Sequence, residues 1–173
     1  VVTGGGGVLC SAFSKALAEC GAAVAILDLN EEKAKEVASE INSSGGKAIG
    51  IGANVLSKES LIEAKKKAND FFGEADILLN GAGGNSPGGT TTKEYYEPGD
   101  EEKEGLVTFF NLDPDKIGFV FNLNFLGTLL PTQVFAPDLI GKKESSVINI
   151  SSMNAFCPLT KIPAYSGAKA AVS

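Results

Sequence analysis

The 173-residue sequence contains no histidine, no tryptophan and no arginine. Without histidine, Ser-His-Asp chemistry and the usual zinc sites are excluded. Without arginine, every fixed positive side chain is a lysine, so no planar two-point clamp on a carboxylate or phosphate is available. The cysteines, Cys10, Cys20 and Cys157, are scattered without metal-ligand spacing, and no metal is expected. No basic segment followed by an apolar stretch marks a secretory leader. No apolar run approaches the ~20 residues that cross a bilayer. A reduced, cytoplasmic setting is therefore expected. The net charge of −6 argues against nucleic acid as a partner. Val1 reads as the tail of a strand and Ser173 lies inside a helical pattern. The expectation is one incomplete domain over 1–173, truncated at both ends.

What is present is an alternation of apolar runs and helical patterns. Val1-Val2 ends a first strand. Val8, Leu9, Ala12, Phe13, Ala16 and Leu17 then recur at helical spacing, and Gly21 closes that helix. The run AAVAILD (22–28) predicts a strand buried on both faces of a parallel sheet. Asn30 and Ser57 are placed to cap two further helices. The inward residues expected of the second are Leu61, Ile62, Ala64, Ala68, Phe71 and Phe72. Strands are expected within 45–55, at 75–80 and at 145–152. Asp113-Pro114 predicts the start of a helix through 116–136, which Pro131 is expected to kink. A last helix starts near Pro163. This order predicts a doubly wound, three-layer α/β/α fold of Rossmann type with a parallel sheet. Residues 84–115 interrupt the rhythm with Gly, Thr and acidic residues. So long a loop is either functional, as a lid over the site, or a solvated insertion.

Two constellations carry chemistry. In the first, the strand–GGGG–helix turn puts backbone N–H groups and the positive end of a helix dipole at one point, which suits a pyrophosphate. The glycines miss the G-x-G-x-x-G spacing. Asp28 ends the second strand, where its carboxylate can accept hydrogen bonds from an adenosine ribose and would repel a 2′-phosphate. Leu29 and Asn30 add no cation, so NAD is expected over NADP. In the second constellation, Tyr165 and Lys169 are spaced i, i+4 and share a helix face. A phenol has a pKa of about 10. A neighbouring ammonium favours phenolate and makes an acid/base without histidine. Ser152 ends the strand VINISS at the edge where ligands bind and can hold a carbonyl oxygen. Ser151 is the adjacent alternative, and only one of the two can face the site.

Taken with NGAG (80–83), NISS (149–152) and YSGAK (165–169), the TG turn resembles the short-chain dehydrogenase/reductases along the whole sequence. The resemblance implies Tyr165 as general acid/base. It implies Lys169 as partner of the nicotinamide ribose and of Tyr165, and Ser152 as the residue that orients the carbonyl. Within FNLNFLG it implies Asn124, with Asn122 as the weaker choice, as the fourth catalytic residue. For the cofactor it implies Gly4, Gly7, the Leu9 backbone N–H, Asp28, Leu29, Asn54, Val55, Asn80, Ala82 and Gly83, together with Tyr165 and Lys169. The sequence departs from the family at Gly81, an Asn there, and at Asn54, an Asp there. It departs again at Val8 and Cys10, both glycines there. Gly7 is accordingly expected to supply the backbone freedom that Val8 lacks, with Gly7→Val more damaging than Gly5→Ala.

The loops narrow the resemblance to the D-mannonate oxidoreductases (fructuronate reductases) within that family, which implies an NADH-dependent reduction of a sugar acid. Lys161 is the best local candidate for the cation of a substrate carboxylate, a solvent-facing loop lysine being the alternative, and Asn85, Met153 and Asn154 are pocket candidates by their place after strand ends. A homodimer or homotetramer is implied, through the helices at 116–136 and from 163. Other polyol or 3-oxoacyl reductases, and a non-catalytic NAD sensor, are the alternatives.

Overall fold

The computed structural model describes residues 1–173. The protein forms two compact units, one made of Val1–Ala82 and Gly127–Ile150, the other of Gly83–Leu126 and Ser151–Ser173. Six helices are present: α1 (Val8–Glu19), α2 (Glu31–Ser43), α3 (Lys58–Phe72), α4 (Pro114–Phe121), α5 (Gly127–Leu139) and α6 (Pro163–Val172).

The first unit is built on five strands, β1 (Val2–Thr3), β2 (Ala23–Asp28), β3 (Lys47–Gly52), β4 (Ile77–Asn80) and β5 (Ser146–Asn149). Their order is β3-β2-β1-β4-β5, and every pairing is parallel. Val24 and Ile26 of β2 cluster with Cys10 and Ala18 of α1 and with Ala34, Val37, Ala38 and Ile41 of α2. Ala25 and Leu27 alternate to the other face, where α3 and α5 pack on the sheet and on each other. The doubly wound expectation holds. The strand order reverses between β1 and β4, the topological switch point at which open α/β sheets bind ligands.

Local signals act as expected. The Asn30 side chain accepts from Lys33 N at 3.2 Å, Ser57 from Ser60 N at 3.2 Å, and Asp113 from Asp115 N at 2.9 Å. Two apolar stripes differ from expectation. The buried face of α1 is Cys10, Ser14 and Ala18, whereas Val8 and Leu9 are exposed. Small residues let the helix sit close to the sheet, and this overrides the larger apolar pattern. In α3 only Leu61, Ala64 and Ala68 are buried, while Ile62 and Phe71 face solvent.

The helix expected at 116–136 is longer and differently irregular. The irregularity is a π-turn at Asn122–Leu126, upstream of Pro131, and both Pro131 and Pro137 lie inside α5. Pro131 removes an N–H donor that the turn before it would otherwise use. The stretch Pro114–Leu139 is, against expectation, long and apolar enough by composition to span a membrane. Asp138 and Thr132 of this stretch are nonetheless bonded within the protein. Asp138 pairs with Lys65 at 2.5 Å and accepts from Asn69, and Thr132 accepts from Asn80. Burial by itself would raise the Asp138 pKa, but the hydrogen bonds from Lys65 and Asn69 overcome it and hold the carboxyl below its ordinary value.

In the second unit, α4 packs on α6 through Val120, Ala164 and Ala168, with Ile117 and Tyr165 at the margin. The 84–115 insertion is held by internal hydrogen bonds and ion pairs. Buried Asp100 pairs with Lys93 and Lys103, both at 2.8 Å, and accepts from Glu97 N. These partners, Lys103 foremost, hold its carboxyl far below the ordinary range. Thr91 N donates to Lys161 O at 2.9 Å, tying the insertion to the segment before α6.

Asp138→Ala should lower stability by roughly 2–3 kcal/mol, since it leaves Lys65 and Asn69 without their partner. Because the Asp138 pKa is depressed on folding, the stabilisation is present above the unfolded carboxyl pKa of about 3.9 and fades as pH falls through the lower folded value. Denaturant melts at neutral and acid pH check this; a difference below about 0.5 kcal/mol at neutral pH would contradict it.

Candidate active site

The residues expected at the site fall into two sets, one in each unit. In the first unit they gather where β1, β2 and β4 end. Gly4 has φ +65, and a Cβ there would lie 2.8 Å from Ala82 Cα, so the turn can be made only by glycine. Thr3 Oγ1, fully buried, accepts from Gly81 N at 3.1 Å and Ala82 N at 3.3 Å. Thr3 thereby fixes the β4 end against the turn, a role that no local sequence signal announces.

Gly7 corrects a specific expectation. It is the extended N-cap of α1, with φ −79, and a Cβ there would meet only Gly4 O at 3.2 Å. Gly4 therefore supplies the freedom expected of Gly7. Val8 begins an ordinary helix and strains nothing. A Cβ on Gly5 would lie 2.4 Å from Ile26 Cγ2, so Gly5→Ala is not the milder substitution of the two. No side chain caps α1 and its first turn carries no acid, which leaves the Val8 and Leu9 end of the helix open to an anion.

Asp28 is fixed by two backbone donors, Gly6 N to Oδ2 at 3.0 Å and Asn30 N to Oδ1 at 2.9 Å. Leu29 beside it is exposed. Asn54 is exposed, and its Oδ1 accepts from Leu56 N at 3.0 Å. Val55 is buried, so only its backbone is offered. The Asn80 side chain is buried and donates to Thr132 Oγ1 and Asn149 Oδ1, both at 2.9 Å, so its amide nitrogen knits β4 to β5 and α5 and its backbone is what it can offer a cofactor.

Two of the departures from the family pattern meet in space. A Cβ built on Gly81 would lie 2.1 Å from Cys10 Sγ, with the next atoms, Thr3 O and Leu79 Cδ2, at 3.1 and 3.3 Å. The sulfur fills the volume that any side chain at 81 would need. Glycine at 81 and cysteine at 10 are thus one packing solution.

In the second unit, Asn124 sits in the π-turn and is wholly buried. Its Nδ2 donates to Val120 O at 2.8 Å and Gly84 O at 2.7 Å, and its Oδ1 accepts from Gly84 N at 3.2 Å. A Cβ on Gly83 would lie 2.6 Å from Asn124 Oδ1 and 3.3 Å from Lys169 Nζ, so Gly83, Asn124 and Lys169 converge. Lys169 is only 5% exposed, and its Nζ lies 5.8 Å from the centre of the Tyr165 ring. The two serines separate as strand alternation requires. Ser151 Oγ bonds at the end of α6, to Lys169 O and Ser173 Oγ. Ser152 Oγ accepts from Asn154 N at 3.2 Å and retains its own proton to donate.

Of the substrate candidates, Met153 and Asn85 are exposed, Asn85 donating to Thr90 Oγ1, and Lys161 is half-buried. Asn154 is buried, and its Oδ1 is enclosed without a hydrogen-bond partner.

A family model described as short chain dehydrogenase matches residues 1–173. The protein belongs to the short chain dehydrogenase family. An oxidoreductase of Haemophilus influenzae without assigned activity is 57% identical over all of the sequence, which covers 60% of that protein. The Bacillus subtilis oxidoreductase UxuB, also without assigned activity, is 46% identical over all of the sequence, which covers 61% of it. The 173 residues thus span about three-fifths of the length of these relatives. A crystal structure of a Haemophilus protein provisionally named a D-mannonate oxidoreductase, with bound NAD, superimposes with a TM-score of 0.95 at 57% identity. That match covers 99% of the present sequence and 60% of the solved one.

Gly81→Ala should cost roughly 1–3 kcal/mol by overpacking against Cys10. Adding Cys10→Ala should recover most of that loss, giving a coupling of about 1 kcal/mol or more in a double-mutant cycle. Additive losses would contradict the pairing.

Proposed function

We propose that the protein containing this sequence is an NAD-dependent oxidoreductase that interconverts a carbonyl and a secondary alcohol, with a sugar acid of the D-fructuronate/D-mannonate type as substrate. The observation that carries this reading is the buried Lys169 ammonium, set beside Gly83 and Asn124 and near the Tyr165 ring. A lysine is seldom buried for packing alone, and one buried beside a phenol suits proton chemistry.

The turn at Gly4–Gly7, the uncapped start of α1 and the fixed Asp28 carboxylate fit a dinucleotide, and the NAD bound by the Haemophilus protein supports the same assignment. When bound, the nicotinamide supplies or accepts the hydride. The protein's own residues handle the proton and the oxygen. Tyr165 gives its hydroxyl proton to the substrate oxygen during reduction and takes it back during oxidation. Lys169 favours the phenolate form through its charge. Ser152 donates a hydrogen bond to the same oxygen as negative charge develops there. Asn124 binds backbone at Val120 and Gly84 and holds the surroundings of Lys169 in place; a water relay from there to Lys169 is part of the reading.

The sugar-acid assignment is supported by Lys161, a half-buried cation whose carbonyl is anchored by Thr91 N, and by the provisional name of the Haemophilus relative. A cytoplasmic homo-oligomer completes the reading. No disulfide joins the three cysteines, and Phe119 and Phe121 of α4 are exposed as a subunit contact would require.

Tyr165→Phe should lower kcat by about 10²-fold or more while NADH affinity stays within about threefold; full activity in this variant would overturn the proposed chemistry. Lys161→Met should raise KM for a sugar acid without changing that for a neutral ketose. Equal effects on both would remove Lys161 from carboxylate binding.

A further inference from the structure

We infer that the first part of the insertion, residues 85–91, is a brace that holds Tyr165 in place, with Gly89 and Thr91 as positioning residues for the proton step. The inference rests on the reading of Tyr165 given above and deepens it. Tyr165 stands at the third position of α6, in its first turn. Helix ends fray unless their free backbone groups are held. Pro163 presets one φ there, but Ile162 before it offers no side-chain cap. The start of the helix must therefore be fixed from outside it.

Two contacts from the insertion do this. Thr91 N donates to Lys161 O at 2.9 Å, two residues before the helix begins. Gly89 is buried, and a Cβ on it would lie 3.7 Å from both Ala164 Cβ and Val120 Cγ2. The Gly89 backbone thus packs between α4 and α6, against the residue that precedes Tyr165. The turn that presents these groups is closed on itself. Gly89 N donates to Ser86 O at 3.0 Å, Thr90 N to Pro87 O at 3.1 Å, and Thr90 Oγ1 to Ser86 O at 2.9 Å. Gly88 O accepts from Asp113 N at 3.2 Å, which ties the turn to the cap of α4. Just before the turn, Gly84 is held on both backbone groups by Asn124. A continuous path therefore runs from the buried Asn124 amide to the first turn of α6.

The remainder of the insertion is a separate excursion. Thr92 N donates to Val107 O at 2.8 Å and Val107 N to Thr92 Oγ1 at 2.9 Å, so residues 93–106 leave and return at one point. The ion cluster of Asp100 with Lys93, Lys103 and Glu97 N lies within that excursion. It can loosen without moving the brace.

Hydrogen exchange read by mass spectrometry on the full-length protein, together with kcat for NADH and D-fructuronate, tests the brace. Thr91→Pro deletes the N–H that holds Lys161 O, and the extended Thr90 before it accepts a following proline. This variant should lower kcat by about tenfold or more and leave NADH affinity within about threefold. It should also speed exchange at the start of α6 by about tenfold or more while β2 and β3 keep their protection. Thr91→Val keeps the N–H and should keep both kcat and protection. Gly89→Leu overfills the space against Ala164 and Val120 and should act as Thr91→Pro does. Gly89→Ala, for which there is room, should not. Asp100→Asn loosens only the excursion and should leave kcat within about threefold. Unchanged exchange at α6 in folded Thr91→Pro and Gly89→Leu overturns the inference, as does faster exchange with full kcat. An Asp100→Asn variant that loses as much kcat as these two also overturns it. Wild type that reduces no ketose or keto acid overturns the Tyr165 chemistry instead, and exchange alone then decides whether residues 85–91 hold α6.

Discussion

The second unit turns on one buried amide. Asn124 lies where the helix widens into a π-turn, and the widening leaves backbone carbonyls without their regular donors. The side chain repairs this by donating to Val120 O, then reaches across to both backbone groups of Gly84. Those three bonds fix the path of the chain at Gly84, and the absence of a side chain at Gly83 leaves room for the Asn124 amide oxygen, with the Lys169 ammonium close by. Tyr165 packs at the edge of the Val120–Ala164–Ala168 cluster, so the phenol and the ammonium are held on one rigid helix. A functional site built on helices in this way keeps its geometry better than one built on loops.

The first unit depends on a comparable economy of space. Thr3 Oγ1 holds the backbone of Gly81 and Ala82, and Gly4 takes a positive φ at a point where Ala82 leaves no room for a side chain. Cys10 and Gly81 share one volume behind that junction. The result is a glycine turn backed by packed atoms, with the start of α1 uncapped and Asp28 tied into the same turn through Gly6 N. Such a surface offers donors where a pyrophosphate would lie and a fixed acceptor where a ribose would lie.

Much of this is legible in the sequence, for physical reasons. Apolar runs of strand length between amphipathic segments specify a parallel sheet, and Asn30, Ser57 and Asp113 each cap the helix they precede. The i, i+4 spacing of Tyr165 and Lys169 needs only a helix to bring the two side chains to one face. Pairs distant in sequence are not legible. Nothing local says that Cys10 fills the space over Gly81. Positive φ falls at the first glycine of the run and not at Gly7, and the atoms that exclude a side chain there belong to Gly81 and Ala82, nearly 80 residues away. The apolar stripe of α1 misleads because close approach to the sheet selects the small residues Cys10, Ser14 and Ala18. The amide of Asn80 sits where a ligand contact is expected, yet the pairing of β4 with β5 and the packing of α5 consume both of its hydrogens.

The proposed role of the Ser152, Tyr165, Lys169 and Asn124 set is to serve direct hydride transfer between a nicotinamide and a carbonyl carbon. The most direct measurement uses the protein with NADH carrying deuterium at the reactive carbon and D-fructuronate as acceptor, with the product read by mass spectrometry and NMR. One deuterium per product molecule is expected, bound to the former carbonyl carbon of D-mannonate. Consumption of the ketone without deuterium in the product would contradict it, as would the absence of any turnover with D-fructuronate and with every other ketose or keto acid offered.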